Sequence, residues 1–457
     1  MHPLFDIVRR DLRTDVTQMA EEGHDEAALL REVEVAEATG SMDALLALQE
    51  DLWHRPSPPG FPFEEPSDWE AISSTFPDAE SHARFAGIDA ELADRLLGAW
   101  QGRCVGCHLG KPLEGVPWPQ DIKEALEAVG SWPLTDYVNP APPEAASGKL
   151  AENKFFKEPW RSTLARGRFD HVAPDDDILY AMVSQLVLEQ FGPGFSSEQA
   201  LGKLIELVPI STLFASGRNM YRAGIFGLKP PLTAIYGNPC RQSLGAQIRC
   251  DPWGWGAPAN PALAARMAYT DAANSQVRNG IYSGIFFSVL MADTLAHGDP
   301  VRAIDTATAH VPPRSRFADM LRFVSAECAA HSDWEVVNAA IYARYPEFAR
   351  RFNHSIPNAA IVVMALLKGE GAFTRTVGIA VMAGLDTDCN GATVGSVMGC
   401  ALGTAGIPGH WTAPLYDTIR SQVKDMPQVH ITEMAGRLFQ AARTNARRTR
   451  TRGKRHG

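Results

Sequence analysis

Glycine recurs at every fourth position in two stretches far apart in the chain, Gly98, Gly102, Gly106 and Gly110 in the first and Gly391, Gly395, Gly399 and Gly403 in the second. That spacing keeps each set on one helix face. A helical glycine costs about 1 kcal/mol relative to alanine, so two full stripes need a compensating gain. Close approach of another backbone supplies one, and two glycine-faced helices in one chain predict that they cross each other. An apolar helix (Val377 to Ala383) runs into Gly384, which tolerates the left-handed turn that ends a helix. The second stripe then starts from a short acidic connection, Asp386-Thr387-Asp388-Cys389-Asn390. Two carboxylates on a rigid turn in an apolar helical pair repel each other unless a cation lies between them.

Two other stretches supply partners. In Ala173 to Phe191, the apolar positions Ile178, Leu179, Met182, Val183, Leu186, Val187 and Phe191 follow the helical period. Asp175, Asp176 and Asp177 stand at the start of that helix. One aspartate would satisfy the helix dipole; three exceed what capping requires. The first glycine stripe is followed by Glu114. A close crossing of the two striped helices would bring Glu114, the aspartate triplet and the Asp386–Asp388 loop into one pocket.

With these residues in view, the chain resembles the ADP-ribosylglycohydrolase family, all-helical hydrolases with a two-magnesium centre. The family's GxxxGxxxGxxxE-like start matches Gly102–Glu114. Its central Thr-Asp-Asp-Thr motif matches Pro174–Asp177, and its late Asp-x-Asp-Thr motif matches Asp386–Cys389. The strings GAQIR (Gly245–Arg249), VRNGIYSG (Val277–Gly284), HSIPNAA (His354–Ala360), DTDCNGAT (Asp386–Thr393) and PGHWTAPL (Pro408–Leu415) resemble a bacterial branch of that family. The likeness extends from about Leu92 to about Ala435.

The resemblance implies hydrolysis of the C1 glycosidic bond of an ADP-ribosylated substrate. It implies Asp175, Asp176, Asp386 and Asp388 as ligands of two Mg²⁺ ions, with Asp388 bridging, and Glu114 as the proton-transferring carboxyl group. Hard oxygen donors suit Mg²⁺ or Mn²⁺ better than zinc or copper. Gln276 falls where the family often has a phosphate-contacting histidine. Asn279, Gly280, His354, Asn358 and Asn390 are further candidates for substrate contact, although His354 and Asn358 also read as a capping pair and Asn279-Gly280 as a turn. Three departures stand out. Pro174 and Asp177 replace the flanking threonines, Pro174 removing a hydroxyl and Asp177 adding a possible ligand. Cys389 puts a sulfur where a hydroxyl is usual, which favours Mn²⁺, weakens one site, or leaves Asn390 to substitute. Two other readings follow from these departures: a hydrolase of a small N-ribosyl, nucleoside-like metabolite, and a catalytically silent ligand-binding member.

The rest of the chain fits an all-α enzyme. Helical spacing recurs from Ser197 to Ala405 with no βαβ alternation. At 457 residues, with 45% hydrophobic and 21% charged, the chain can bury a large core. A net charge of −10 argues against nucleic acid as the main partner. No apolar run reaches the length of a membrane span, and the N-terminus lacks a signal-peptide core, so a cytoplasmic location is expected. The seven scattered cysteines read as reduced thiols; Cys104, Cys107 and His108 have the spacing of a half zinc site, but no second half follows. Residues 1–84 read as a helical extension, with Leu45, Leu46, Leu48 and Leu52 on one face, ending in a proline-rich linker at Arg55–Pro66. Residues 85–442 read as the catalytic domain, and 443–457 as a disordered basic tail. The segment from Gly115 to Ala173 reads either as a lid or as a surface insertion with packed aromatics. Arg249 and Asp251 are a conceivable ion pair, and nothing in the sequence speaks to oligomeric state.

Overall fold

In the computed structural model the described residues are 4–77, 89–116, 118–142, 148–346 and 351–452. The fold is all-α, 68% helical. Three-residue strands Thr418–Arg420 and Gln428–His430 form one antiparallel hairpin with Ile419 opposite Val429. Among the described residues, no helix is long and apolar enough to cross a membrane.

Helices α1 (Phe5–Glu21), α2 (Glu26–Ala38) and α3 (Met42–His54) form the N-terminal unit. It has its own small core of Leu12, Val16, Leu29, Val33, Leu45 and Leu52. Leu48 packs at its margin, whereas Leu46 is exposed, so the predicted four-leucine face is narrower than expected. The Arg55–Pro66 segment is no loose tether. Ser57 accepts a hydrogen bond from Arg278 at 2.9 Å, and Glu65 holds Arg316 through two contacts of 2.8 and 2.7 Å. Proline stiffness keeps such a strap cheap to order.

The main body is built on α4 (Asp89–Gly110), α5 (Asp176–Phe191), α6 (Asn279–His297), α7 (Ser355–Lys368), α8 (Phe373–Met382) and α9 (Thr387–Leu402). Helices α4 and α9 run antiparallel, glycine facing glycine. A Cβ on Gly102 would lie 1.9 Å from the Gly395 carbonyl oxygen; on Gly106, 1.9 Å from that of Gly391; on Gly110, 2.2 Å from that of Thr387. No side chain fits, and the two backbones touch along the whole seam. Thr387 Oγ1 closes one end of it by donating to Gly110 O at 2.8 Å. Helix α6, apolar on all sides and buried along almost its whole length, packs beside this pair.

The last helix, α10 (Ile431–Arg452), runs into the segment that the sequence reads as a tail. The chain stays helical past Arg443, whose guanidinium lies over the Phe439 ring and 3.5 Å from Asp89, while Asn445 donates to Gly256 O. Residues 453–457 lie outside the described residues.

Gly102→Ala is expected to cost more than about 3 kcal/mol in chemical denaturation, because neither backbone can yield. Gly202→Ala, at an exposed helical position with nothing within 4 Å, serves as the control and gains up to about 1 kcal/mol.

Candidate active site

The seam delivers two loops to one end of the molecule. Helix α4 ends in a tight 3-10 turn, Lys111–Leu113, that leads directly to Glu114. Opposite it, α8 ends and the chain turns through Gly384 (φ +91°) and Leu385 (φ +58°). Leu385 is a buried non-glycine residue in the left-handed region, a strain held in place by its surroundings. Asn358, on the first turn of α7, fixes the loop that follows. Its Oδ1 accepts from the Asp386 N–H at 3.1 Å and from Asn390 Nδ2 at 2.8 Å, and its Nδ2 donates to Phe352 O and His354 O. Asn358 and Asn390 thus brace the acidic loop from behind.

Glu114, Asp176, Asp386, Asp388 and Cys389 line a single cleft of about 620 Å³ of empty space, part of it open to solvent. Its other walls come from Tyr180, Phe214, Ser216, Ser243, Ile248 and Phe352. The acidic residues predicted to meet do meet. Ligand atoms of Glu114, Asp386 and Asp388 lie within 4.8 Å of one another, as do those of Asp175, Asp176 and Asp177, and of Asp177, Asp388 and Cys389. Asp386 Oδ1 and Asp388 Oδ1 are buried and have no hydrogen-bond donor. Two adjacent carboxylate oxygens without donors are what a divalent cation requires of its ligands. The Glu114, Asp386 and Asp388 group therefore fits a hard cation best.

The three adjacent aspartates do different work. Asp175 is the N-cap of α5, its Oδ1 accepting from the Asp177 N–H at 2.8 Å. Asp176 faces the cleft. Asp177 points into the core, where Arg103 lies 3.3 Å from its Oδ1 and also pairs with Asp251 at 2.5 Å. Its Oδ2 accepts the thiol of Cys389 at 3.0 Å. Two departures from the family pattern thus contact each other: an acceptor replaces one hydroxyl and a donor replaces the other. Asp251 takes Arg103 as its partner, and Arg249 binds Asp271 instead at 2.6 Å, so the sequence's Arg249–Asp251 pairing is not formed.

Other candidates lie behind the cleft wall. Gln276 is bonded to Ser216 Oγ at 2.6 Å, and with its amide oriented to satisfy both ends it donates to Ser243 O and Arg241 O. It supports cleft-lining residues without lining the cleft. Asn279 donates to Gln242 and accepts from the Phe317 N–H, and the Gly280 N–H donates to Val277 O. Gly280 lies close to Gln276, whose carboxamide a Cβ there would meet at 2.4 Å and whose Cβ it would meet at 3.0 Å. His354 caps α7 and lies 3.1 Å from Glu21 of α1. Cys104 and Cys107 are buried in the core, and His108 stacks on Phe169 at 4.0 Å. No described residue between Gly115 and Ala173 lines the cleft; Tyr137 and Phe169 pack with Trp411 and His108 instead.

Lys111 is the residue the sequence reading missed. Its ammonium lies 2.6 Å from Asp175 Oδ2, 2.8 Å from Glu114 Oε2 and 3.2 Å from Asp388 Oδ2. The available signal was its position three residues before Glu114, in the turn that ends the first glycine helix. The electrostatics reflect this crowding. The Asp388 carboxylate, then burial, push Glu114 up to about 7 against the pull of Lys111. Burial opposes ionisation of Asp175, but Lys111 holds it below its usual range. Burial first and neighbouring carboxylates second raise Asp176 and Asp386 well above theirs.

An all-helical body that gathers carboxylates from distant segments at one cleft defines the class of protein. The family model described as ADP-ribosylglycohydrolase matches residues 88–448, and the chain belongs to that family. Membership supports a hydrolase of glycosidase type. A solved chain described as "ADP-ribosylglycohydrolase-related protein complex" shares 18% identity at a TM-score of 0.48, covering 78% of this chain and 99% of its own. No curated protein matches this chain.

Glu114 also carries a pH signature. Its folded value of about 7 lies above the ordinary 4.5, so the folded protein binds more protons between those limits. Its contribution to stability is whole below about 4.5 and is lost as pH rises through about 7. In metal-free buffer, wild-type stability is therefore expected to fall relative to Glu114→Gln across this window. Parallel thermal melts from pH 4.5 to 7.5 measure the difference, and a constant gap would contradict the assignment.

Proposed function

We propose that this chain is a metal-dependent hydrolase that cleaves the ribosyl C1 glycosidic bond of an ADP-ribosylated substrate. The observation that carries the reading is the pair of donor-free oxygens on Asp386 and Asp388, beside Glu114, in an open cleft. Asp386 and Asp388, with Asp176 adjacent, would hold Mg²⁺ or Mn²⁺ beside Glu114. A bound ion supplies Lewis acidity toward the vicinal diol of a ribose and toward water. The side chains do the rest. Tyr180, Phe214 and Phe352 offer faces and edges for a ring, and Ser216 and Ser243 offer hydroxyls. Glu114 is poised close to neutrality, so its protonated form can give a proton to the leaving group and its ionised form can take one from the attacking water. A carboxyl group in that role suits bond breaking at C1 through an oxocarbenium-like state.

Two features bear on the leaving group. The helix Ala215–Ile225 starts in the cleft wall, and its first N–H groups suit a phosphate. Against this, none of the described lining residues is cationic, which favours the smaller N-ribosyl compound as the second reading.

The test is a substrate panel of ADP-ribosylated arginine, serine and DNA bases beside simple N-ribosides, with free ADP-ribose or ribose detected. EDTA should abolish turnover and Mg²⁺ or Mn²⁺ restore it. Asp388→Asn should lower turnover by more than about 100-fold with an unchanged helical circular dichroism spectrum. Full turnover in EDTA would remove the metal from the mechanism, and no turnover on any substrate would favour a silent binding protein.

A further inference from the structure

The carboxylate oxygens of the cleft divide into two sets. One set faces Lys111: Asp175 Oδ2, Glu114 Oε2 and Asp388 Oδ2 converge on its ammonium at 2.6, 2.8 and 3.2 Å. The other is Asp386 Oδ1 and Asp388 Oδ1, buried and without donors. Asp388 belongs to both sets, one oxygen in each. Asp175 belongs only to the first, because its remaining oxygen is committed to the Asp177 N–H at the start of α5. The third aspartate of the triplet is also spent, held by Arg103 and by the Cys389 thiol.

We propose that the Lys111 ammonium permanently fills one cation position of this centre, leaving a single divalent-ion site formed by Asp386 and Asp388 beside Glu114. The inference rests on the metal-centre reading above and narrows it. A lysine in such a place cannot reproduce a divalent ion. It has one charge in place of two, and its three N–H donors point at the carboxylates rather than accept further ligands. It can neutralise Asp175 and anchor Asp388 through one oxygen, which leaves the other for the remaining site. It cannot take up sugar hydroxyls. Lys111 is therefore a positioning residue, and the task of gripping the ribose falls to one ion and the cleft walls. A second ion on the same three oxygens would also sit close to a fixed positive charge, with Asp176 the one aspartate of the triplet left to bind it.

The test is metal stoichiometry, read without substrate. Metal-free full-length protein is titrated with Mn²⁺ at neutral pH, and bound ions are counted from the loss of the free-ion electron paramagnetic resonance signal. Wild type is expected to bind one Mn²⁺ per chain, Lys111→Arg also one, and Lys111→Met two, the last with its helical circular dichroism unchanged. Two ions in wild type, or one in folded Lys111→Met, overturns the proposal and leaves the metal-centre reading intact. No bound ion in wild type overturns both. Should Lys111→Met fail to fold, the wild-type count decides.

Discussion

Backbone-to-backbone contact between α4 and α9 governs this molecule. Helices that meet through side chains lie 8–10 Å apart, and their relative position can adjust as side chains change rotamer. Here the carbonyl oxygens of one helix lie where the other's Cβ atoms would be. The contact has no soft layer. Whatever is attached at the end of the seam inherits its rigidity, and what is attached is Lys111 and Glu114 on one side and Asp386 and Asp388 on the other. A group of like charges would otherwise push its carriers apart. The seam, the Thr387–Gly110 hydrogen bond and the fully bonded Asn358 carboxamide resist that force together.

Much of this was legible in the sequence, for definite reasons. The glycine stripes stand out because they are costly in a helix and periodic, the aspartate triplet, Asp386 and Asp388 because carboxylates rarely accompany such apolar helices, and Glu114 through the family resemblance. Side-chain direction was not legible. Periodicity places Asp175, Asp176 and Asp177 at a helix start, but only the fold shows that one caps, one faces the cleft and one enters the core. Lys111 reads as an ordinary turn residue until Asp175 and Asp388 arrive from other parts of the chain. Gln276, Asn279 and His354 share a similar limit: a polar residue beside a site can face it or support it, and the motif around it is the same in either case.

The N-terminal unit is more than an appendage. Asp15 pairs with Arg241, Glu21 reaches Arg351 at 2.8 Å and His354 at 3.1 Å, and Glu22 accepts from Gln242 at 2.6 Å. These partners flank Ser243 and Gly245 on one side and Phe352 and Asn353 on the other, all of which form the cleft wall. Buried charge pairs of this kind contribute less to net stability than to uniqueness of arrangement, because desolvation offsets most of the attraction. In this setting they register the back of the cleft against a separate small core.

The residues that line the cleft run from Glu114 to Cys389, and the pairs that brace it reach further apart. Thr387 and Gly110 are 277 positions apart, and Arg351 and Glu21 are 330 apart. During synthesis, the glycine face of α4 therefore emerges long before its complement exists, and must wait as a bare backbone groove until α9 is made. Late closure of long-range contacts is slow and leaves this face as the part of the nascent chain most in need of protection. In such an architecture the cleft is assembled only once Cys389, the last of its described lining residues, has been made.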